Sequence, residues 1–238
     1  MGRAFEFRKA RKMKRWATMS KIFTRMGKEI VMAVKQSGAN PDTNARLRML
    51  IQNAKAVNMP KDNIERAIKK ASDKSTENYK EVLFEGYAPH GIAVLVETAT
   101  DNNNRTVANI RSVFNKYNGT LGTSGSVDFM FERTVNFRIS CADIQVSLED
   151  FELEMIEFGI EELIKDNDEV LLYAPFEQFG VIQKRLEKSM IQIISSEFER
   201  IPNTFNKISP EQQQEVKALI LKLEDDDDVS NVYHNMQL

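Results

Sequence analysis

A chain of 238 residues, 42% hydrophobic and 29% charged with a formal net charge of -2, has the composition of a soluble globular protein and not of a disordered one. No apolar run approaches the roughly 20 residues of a membrane helix. The basic N-terminus lacks the apolar core of a secretory signal, and a single cysteine, Cys141, excludes an intramolecular disulfide and fits a reducing, cytoplasmic setting.

The near-neutral total conceals a division. Residues 1–74 hold 19 Lys+Arg against 6 Asp+Glu, which leaves 14 against 29 for the rest of the chain. Such asymmetry assigns different partners to different parts of a chain. The basic part looks toward phosphates, and the acidic remainder is repelled by them.

The first stretch, MGRAFEFRKARKMKRWATMSK, has no clean apolar stripe and reads as a basic arm. From Ser20 onward Ile22, Phe23, Met26, Ile30, Ala33 and Val34 recur at three- and four-residue steps, which makes one apolar helix face. Gly38 suits the residue after that helix. Asn40 and Pro41 suit the cap and first position of a second helix. The second helix turns Leu47, Leu50, Ile51, Ala54 and Val57 inward, and a third, opened by Pro60, turns in Ile64, Ala67, Ile68 and Ala71. Three such helices shield one another, so residues 1–75 are expected to form a basic helical domain, with SDKSTEN as its linker.

Beyond the linker the period becomes two. EVLFEGYAP and GIAVLVETATD predict strands joined at Pro89-His90-Gly91, NNNRTVANIRSVFNKYNG a helix, and SVDFMF a third strand. TVNFRIS, LEDFELEMIEFG, IEELIK, EVLLYA, FEQFGVIQKRLEKSM and IQIISSEFE then give β-α-β-β-α-β, the ferredoxin-like order. A helix capped by Ser209-Pro210 and a strand, VSNVYHN, close the chain. The expected fold is therefore α+β and multidomain: a three-helix domain followed by two α+β domains of ferredoxin-like type, one inserted in the other. The expected bounds are 1–75, 76–132 with 203–238, and 133–202 for the insert. The strand order within the sheets is not legible.

Catalytic chemistry finds little support. Two histidines, His90 and His234, and one cysteine fall short of a zinc site. GTLGTSGS lacks the lysine and following helix of a phosphate loop, so a tight turn is favoured over an anion-binding nest. The EDDDD run at 224–228 lacks calcium-loop spacing and reads as a solvated helix end. No enzyme, metal, cofactor or small-molecule substrate is expected.

The basic module carries the functional signal. Its candidate nucleic-acid contacts are Arg8, Lys9, Arg11, Lys12, Lys14 and Arg15 in the arm, Lys21 and Arg25 in the first helix, Arg46, Arg48 and Lys55 in the second, and Arg66, Lys69 and Lys70 in the third. Arginine suits bidentate phosphate contacts. Asp42, Asp62 and Glu65 are the acids near the second and third helices. They are too few to neutralise this group, so phosphates rather than internal pairs are the expected partner. An acidic protein partner, or docking on the chain's own acidic part, stands as the alternative. Trp16 and Phe23 lie inside the basic run, Phe23 as a core candidate.

Several long segments, in order, resemble the YebC/PmpR family. They are KIFT at 21–24, NP…N.RLR at 40–48, NMPKDNIERAIKK at 58–70, EGYAPHGIAVLVE, TDNNNRTVANIR, GTLGTSGSVDFMF and DDDDVSNVYHN. The resemblance covers nearly the whole chain, although the first twenty residues depart from the family's usual start. It implies three domains around a cleft, a cytoplasmic location and a role in gene expression. That role is as a DNA-binding transcriptional regulator or, as described for relatives including mitochondrial ones, as an RNA-binding translation factor at the ribosome. An adaptor for acidic proteins is a third class. No helix-turn-helix spacing supports base reading.

Overall fold

The computed structural model describes residues 19–72 and 78–237. Helices α1 (Met19–Ser37), α2 (Ala45–Ala56) and α3 (Lys61–Ser72) come first. Their apolar stripes meet in one core around Ile30, Val34, Leu47, Leu50, Ala54 and Ile64, with Phe23 packed at its side. Gly38 adopts φ +89° just past α1, the left-handed conformation glycine takes at least cost, and its N–H donates to the Val34 carbonyl at 2.8 Å.

The cap of α2 is Asn44, not Asn40. The Asn44 side chain accepts from the Leu47 N–H at 3.0 Å and donates to the carbonyls of Ala33 and Gly38. Asn40 instead closes a turn, accepting from the Asp42 N–H, and Pro41 sits inside that turn. Asn44 wins because it satisfies orphan groups of both helices at once, from a buried position.

The first sheet has the order β3-β1-β2-β8, from β1 (Lys80–Ala88), β2 (Ile92–Thr100), β3 (Thr120–Leu121) and β8 (Val229–His234). Helices α4 (Asn103–Lys116) and α7 (Pro210–Glu224) supply Ile110, Phe114, Val216, Leu219 and Leu223 to the core on one of its faces. The strand expected at SVDFMF is not formed. The Glu85 carboxylate accepts hydrogen bonds from the backbone of Gly125, Val127 and Asp128 at 2.6–2.8 Å, which folds that segment into a loop. GTLGTSGS thus begins an anion nest whose anion is the chain's own. Burial raises the Glu85 carboxyl, but the three amide hydrogen bonds outweigh burial and hold it below its ordinary value.

The chain then leaves the first sheet and builds the second before returning for β8. Strands β4 (Phe131–Ser140), β5 (Glu162–Asp166), β6 (Glu169–Pro175) and β7 (Ile193–Pro202) order as β5-β6-β4-β7, every pair antiparallel. Helices α5 (Leu148–Ile156) and α6 (Phe179–Lys188) cover Val135, Phe137, Ile139 and Leu172 on one face. This is the ferredoxin-like arrangement read from element order, and it leaves β7 as an edge.

Candidate nucleic-acid interface

The three helices rest against both sheets, and the contacts differ in kind. On the second sheet, α2 lies along the β7 edge. The Asn53 side chain donates to the Ser196 carbonyl at 2.5 Å and accepts from the Ser196 N–H at 2.9 Å. One amide thereby satisfies both outward backbone groups of an edge-strand residue, as a neighbouring strand would. Phe179 and Phe198 pack against both the helical core and the core of the second sheet.

Toward the first sheet the contact is charged. Lys21 pairs with Asp225, and Arg25 donates to the Glu224 carbonyl. Lys28 reaches the Asp228 carboxylate and the Asp227 carbonyl, each at 2.8 Å. Arg46 pairs with Glu81 and also contacts Gln36 at 3.4 Å. Asp228 is only 5% exposed and binds Arg105, Thr106 and Thr100 as well as Lys28. Burial raises its pKa, yet hydrogen bonds from Arg105, Lys28 and Thr106 outweigh burial and bring it down to about 2. The acidic run is therefore a docking surface as well as the solvated helix end expected from its composition: Asp225 and Asp227 stay exposed while Asp228 is buried.

Glu29 on α1 is pushed the other way. Burial lifts its pKa to about 7 against the pull of Arg46, and Glu97, Glu81 and Glu197 lift it further. The folded chain thus favours protonated Glu29 above the ordinary carboxyl value of 4.5. This group weakens stability as pH rises from about 4.5 toward 7. Glu29→Gln should flatten the stability curve across that window, read from urea midpoints at pH 5 and 7.5.

The candidate contacts divide accordingly. Arg8, Lys9, Arg11, Lys12, Lys14 and Arg15 lie outside the described residues, as does Trp16. Lys21, Arg25 and Arg46 face the acidic surfaces just described. Arg48 is turned inward too: its guanidinium donates to the carbonyls of Pro41 and Asp42 and sits 3.0 Å from Glu187. The expectation that these cations form no internal pairs is corrected, because their partners lie far away in sequence. Lys55, Arg66, Lys69 and Lys70 are exposed. Among the described residues no carboxylate lies within ion-pairing distance of Lys55, Arg66 or Lys69, while Lys61 pairs with Glu65 at 3.4 Å. Lys70 lies 5.8 Å from the centre of the Tyr79 ring.

Lys28 and Asn53 were not singled out by sequence. Lys28 continues the Lys21–Arg25 stripe at i+7, a legible signal. Asn53 had none, since its partner is a backbone 143 residues away. His90 contacts Glu215 at 3.0 Å. Among the described residues no group of three or more His, Cys, Asp or Glu is placed to hold a metal, and no helix is long and apolar enough to cross a membrane.

Residues 3–74 match the family profile described as TACO1/YebC protein N-terminal domain, and residues 79–236 match the one described as TACO1/YebC second and third domain. This chain belongs to the TACO1/YebC family. A "Probable transcriptional regulatory protein" of Flavobacterium johnsoniae is 65% identical over 237 residues, covering 100% of this chain and 99% of the relative. One of the same name from Parabacteroides distasonis is 56% identical, covering 100% and 97%. Among solved structures, a conserved hypothetical protein of Aquifex aeolicus is 38% identical with a TM-score of 0.78, over 94% of this chain and 92% of that one.

The segments that carry the TACO1/YebC resemblance meet in space as pairs. TDNNNRTVANIR supplies Arg105 and Thr106 to Asp228 of DDDDVSNVYHN. EGYAPHGIAVLVE supplies Glu85 to the backbone of GTLGTSGSVDFMF. Each pair joins a buried carboxylate to the donors it needs.

Proposed function

We propose that this member of the TACO1/YebC family is a nucleic-acid-binding regulator of gene expression, acting in the cytoplasm on DNA as its named relatives suggest. It holds a phosphate backbone through Lys55 and the outer face of α3 and does not read bases. The observation that carries this is the exposed set Lys55, Arg66 and Lys69, which no carboxylate among the described residues neutralises. Arg66, Lys69 and Lys70 follow at i, i+3 and i+4 and so share one helix face. No catalytic group, cofactor or small substrate enters the reading.

Replacing Lys55, Arg66 and Lys69 together by alanine should weaken binding about equally for unrelated sequences. Each lost phosphate contact removes roughly 0.7–0.9 from the slope of log K against log salt, so three should flatten it by roughly two to three units. The fold should hold, since exposed substitutions cost within about 0.5 kcal/mol. An unchanged slope would mean that these side chains face something other than a nucleic-acid backbone.

A second reading, a translation factor on ribosomal RNA, is favoured by the acidic faces next to the helical module. A long uniform duplex lying along the molecule meets those faces, whereas a folded RNA can offer its phosphates to α3 alone. Crosslinking in cells separates the two. Strong ribosomal RNA crosslinks without promoter enrichment would replace DNA by RNA and leave the contact surface as described.

A further inference from the structure

Four cations of the helical module spend the free state against acidic chain. Lys21, Arg25 and Lys28 lie at i, i+4 and i+7 of α1, so one stripe of that helix is laid on residues 224–228. Arg46 on α2 is held by Glu81. Carboxylates and carbonyls here offer what a phosphate offers: negative charge and acceptor oxygens in reach of the same donors.

The two contacts of the module respond differently to an opposing anion. Against the second sheet the contact is Asn53 on Ser196 with Phe179 and Phe198 beside it, joined by one ion pair, Arg48–Glu187, and its apolar part is not weakened by the screening that weakens exposed ion pairs. Against the first sheet the outer pairs are open to solvent: Asp225 is 54% and Glu81 55% exposed in their side chains. Such pairs are weak and screened by salt.

Release also strands no carboxylate. Asp228 keeps Arg105 at 2.7 Å and Thr106 at 2.9 Å. Asp225 keeps Lys222 at 3.1 Å. Glu81 passes to water, and Lys28 moves from a buried seat to solvent. The buried Lys28–Asp228 pair is the firmest element of the contact and sets how rarely it opens.

We propose that the acidic run 224–228, together with Glu81, is a built-in competitor for nucleic acid. It occupies Lys21, Arg25, Lys28 and Arg46 in the free protein. A phosphate backbone that first lands on Lys55 and α3 displaces it, and the helical module swings out about the Asn53–Ser196 contact. The inference rests on the nucleic-acid reading above. Its consequence is arithmetic: the apparent affinity falls below the intrinsic one by the fraction of molecules that are open.

The test uses the full chain with two changes, Asp225→Asn and Glu81→Gln, which leave Asp228 in place. The comparison variant is Glu149→Gln on helix α5 with Glu157→Gln just past its end, which alters net charge by the same amount. The probes are a random-sequence 20-mer duplex and a structured RNA hairpin, titrated at two salt concentrations. The first variant should bind about three- to thirtyfold tighter than the comparison variant, as two outer pairs each worth up to about 1 kcal/mol require. Equal affinities for the two variants would overturn the competitor. Failure of the nucleic-acid reading looks different: Lys55→Ala/Arg66→Ala/Lys69→Ala would bind both probes as well as wild type does.

Discussion

Replacing Asp228 by alanine should destabilise the folded chain by about 3–5 kcal/mol, the usual cost of removing one partner from a buried ion pair. The change leaves Lys28, whose side chain is 12% exposed, without its carboxylate and removes the acceptor shared by Arg105, Thr100 and Thr106. It therefore loosens the start of α4, the end of β2 and the seat of α1 together. The pH dependence follows from the sign of the shift. The folded pKa of about 2 lies below the ordinary 3.8. The stabilisation is therefore present above about pH 4 and is lost as pH falls through 2. Urea unfolding at pH 7 should show the full difference between wild type and D228A, and at pH 2 the gap should narrow by roughly 2 kcal/mol, because a shift from 3.8 to about 2 carries about 1.4 kcal/mol per unit. Parallel curves across that range would show that Asp228 is not the carboxylate that ties these elements together.

Asn53→Ala should cost about 2–4 kcal/mol, because it leaves two buried backbone groups of Ser196 unpaired, each worth about 1–3 kcal/mol. The loss falls on an edge strand, so it has a second symptom. The Ser196 amide, protected from hydrogen exchange in wild type, should exchange at a rate set by local opening in the variant. A full-strength Ser196 protection factor in Asn53→Ala would mean that α2 is held on β7 by its apolar neighbours alone.

The legible parts of the fold were those written in local period. Ile30, Val34, Leu47, Leu50 and Ile64 declare their helices by three- and four-residue steps, and all are buried where that pattern puts them. The element order of the second unit declares the ferredoxin-like type, since few sheets accommodate β-α-β-β-α-β. Local chemistry failed where a distant group decided. Asn40 and Asn44 are equally good caps on paper, and only the packing of α1 against α2 selects Asn44. SVDFMF has strand composition but lies within reach of Glu85, whose carboxylate takes three of its neighbouring amides.

The same limit governed the site. Counting acids near the basic helices found three, while the partners of Lys21, Arg25 and Lys28 lie some 200 residues on. The opposite net charges of the two parts of the chain held that information only in bulk, as an attraction without an address. What sequence did indicate is that positive charge in residues 1–74 exceeds what that part of the chain neutralises, and the exposed end of α2 and face of α3 are where cations without a carboxylate partner remain.

Lysine footprinting tests that claim most directly. Brief acetylation of the full chain, free and bound to a random-sequence duplex or a structured RNA, reports which ammonium groups a ligand covers. Lys55, Lys61, Lys69 and Lys70 should be protected on binding. Lys116, Lys165, Lys184 and Lys207, which are equally solvent-facing but lie on the acidic part of the chain, should react as in the free protein. Protection confined to the second group, or none in the first while binding is complete, would contradict the account.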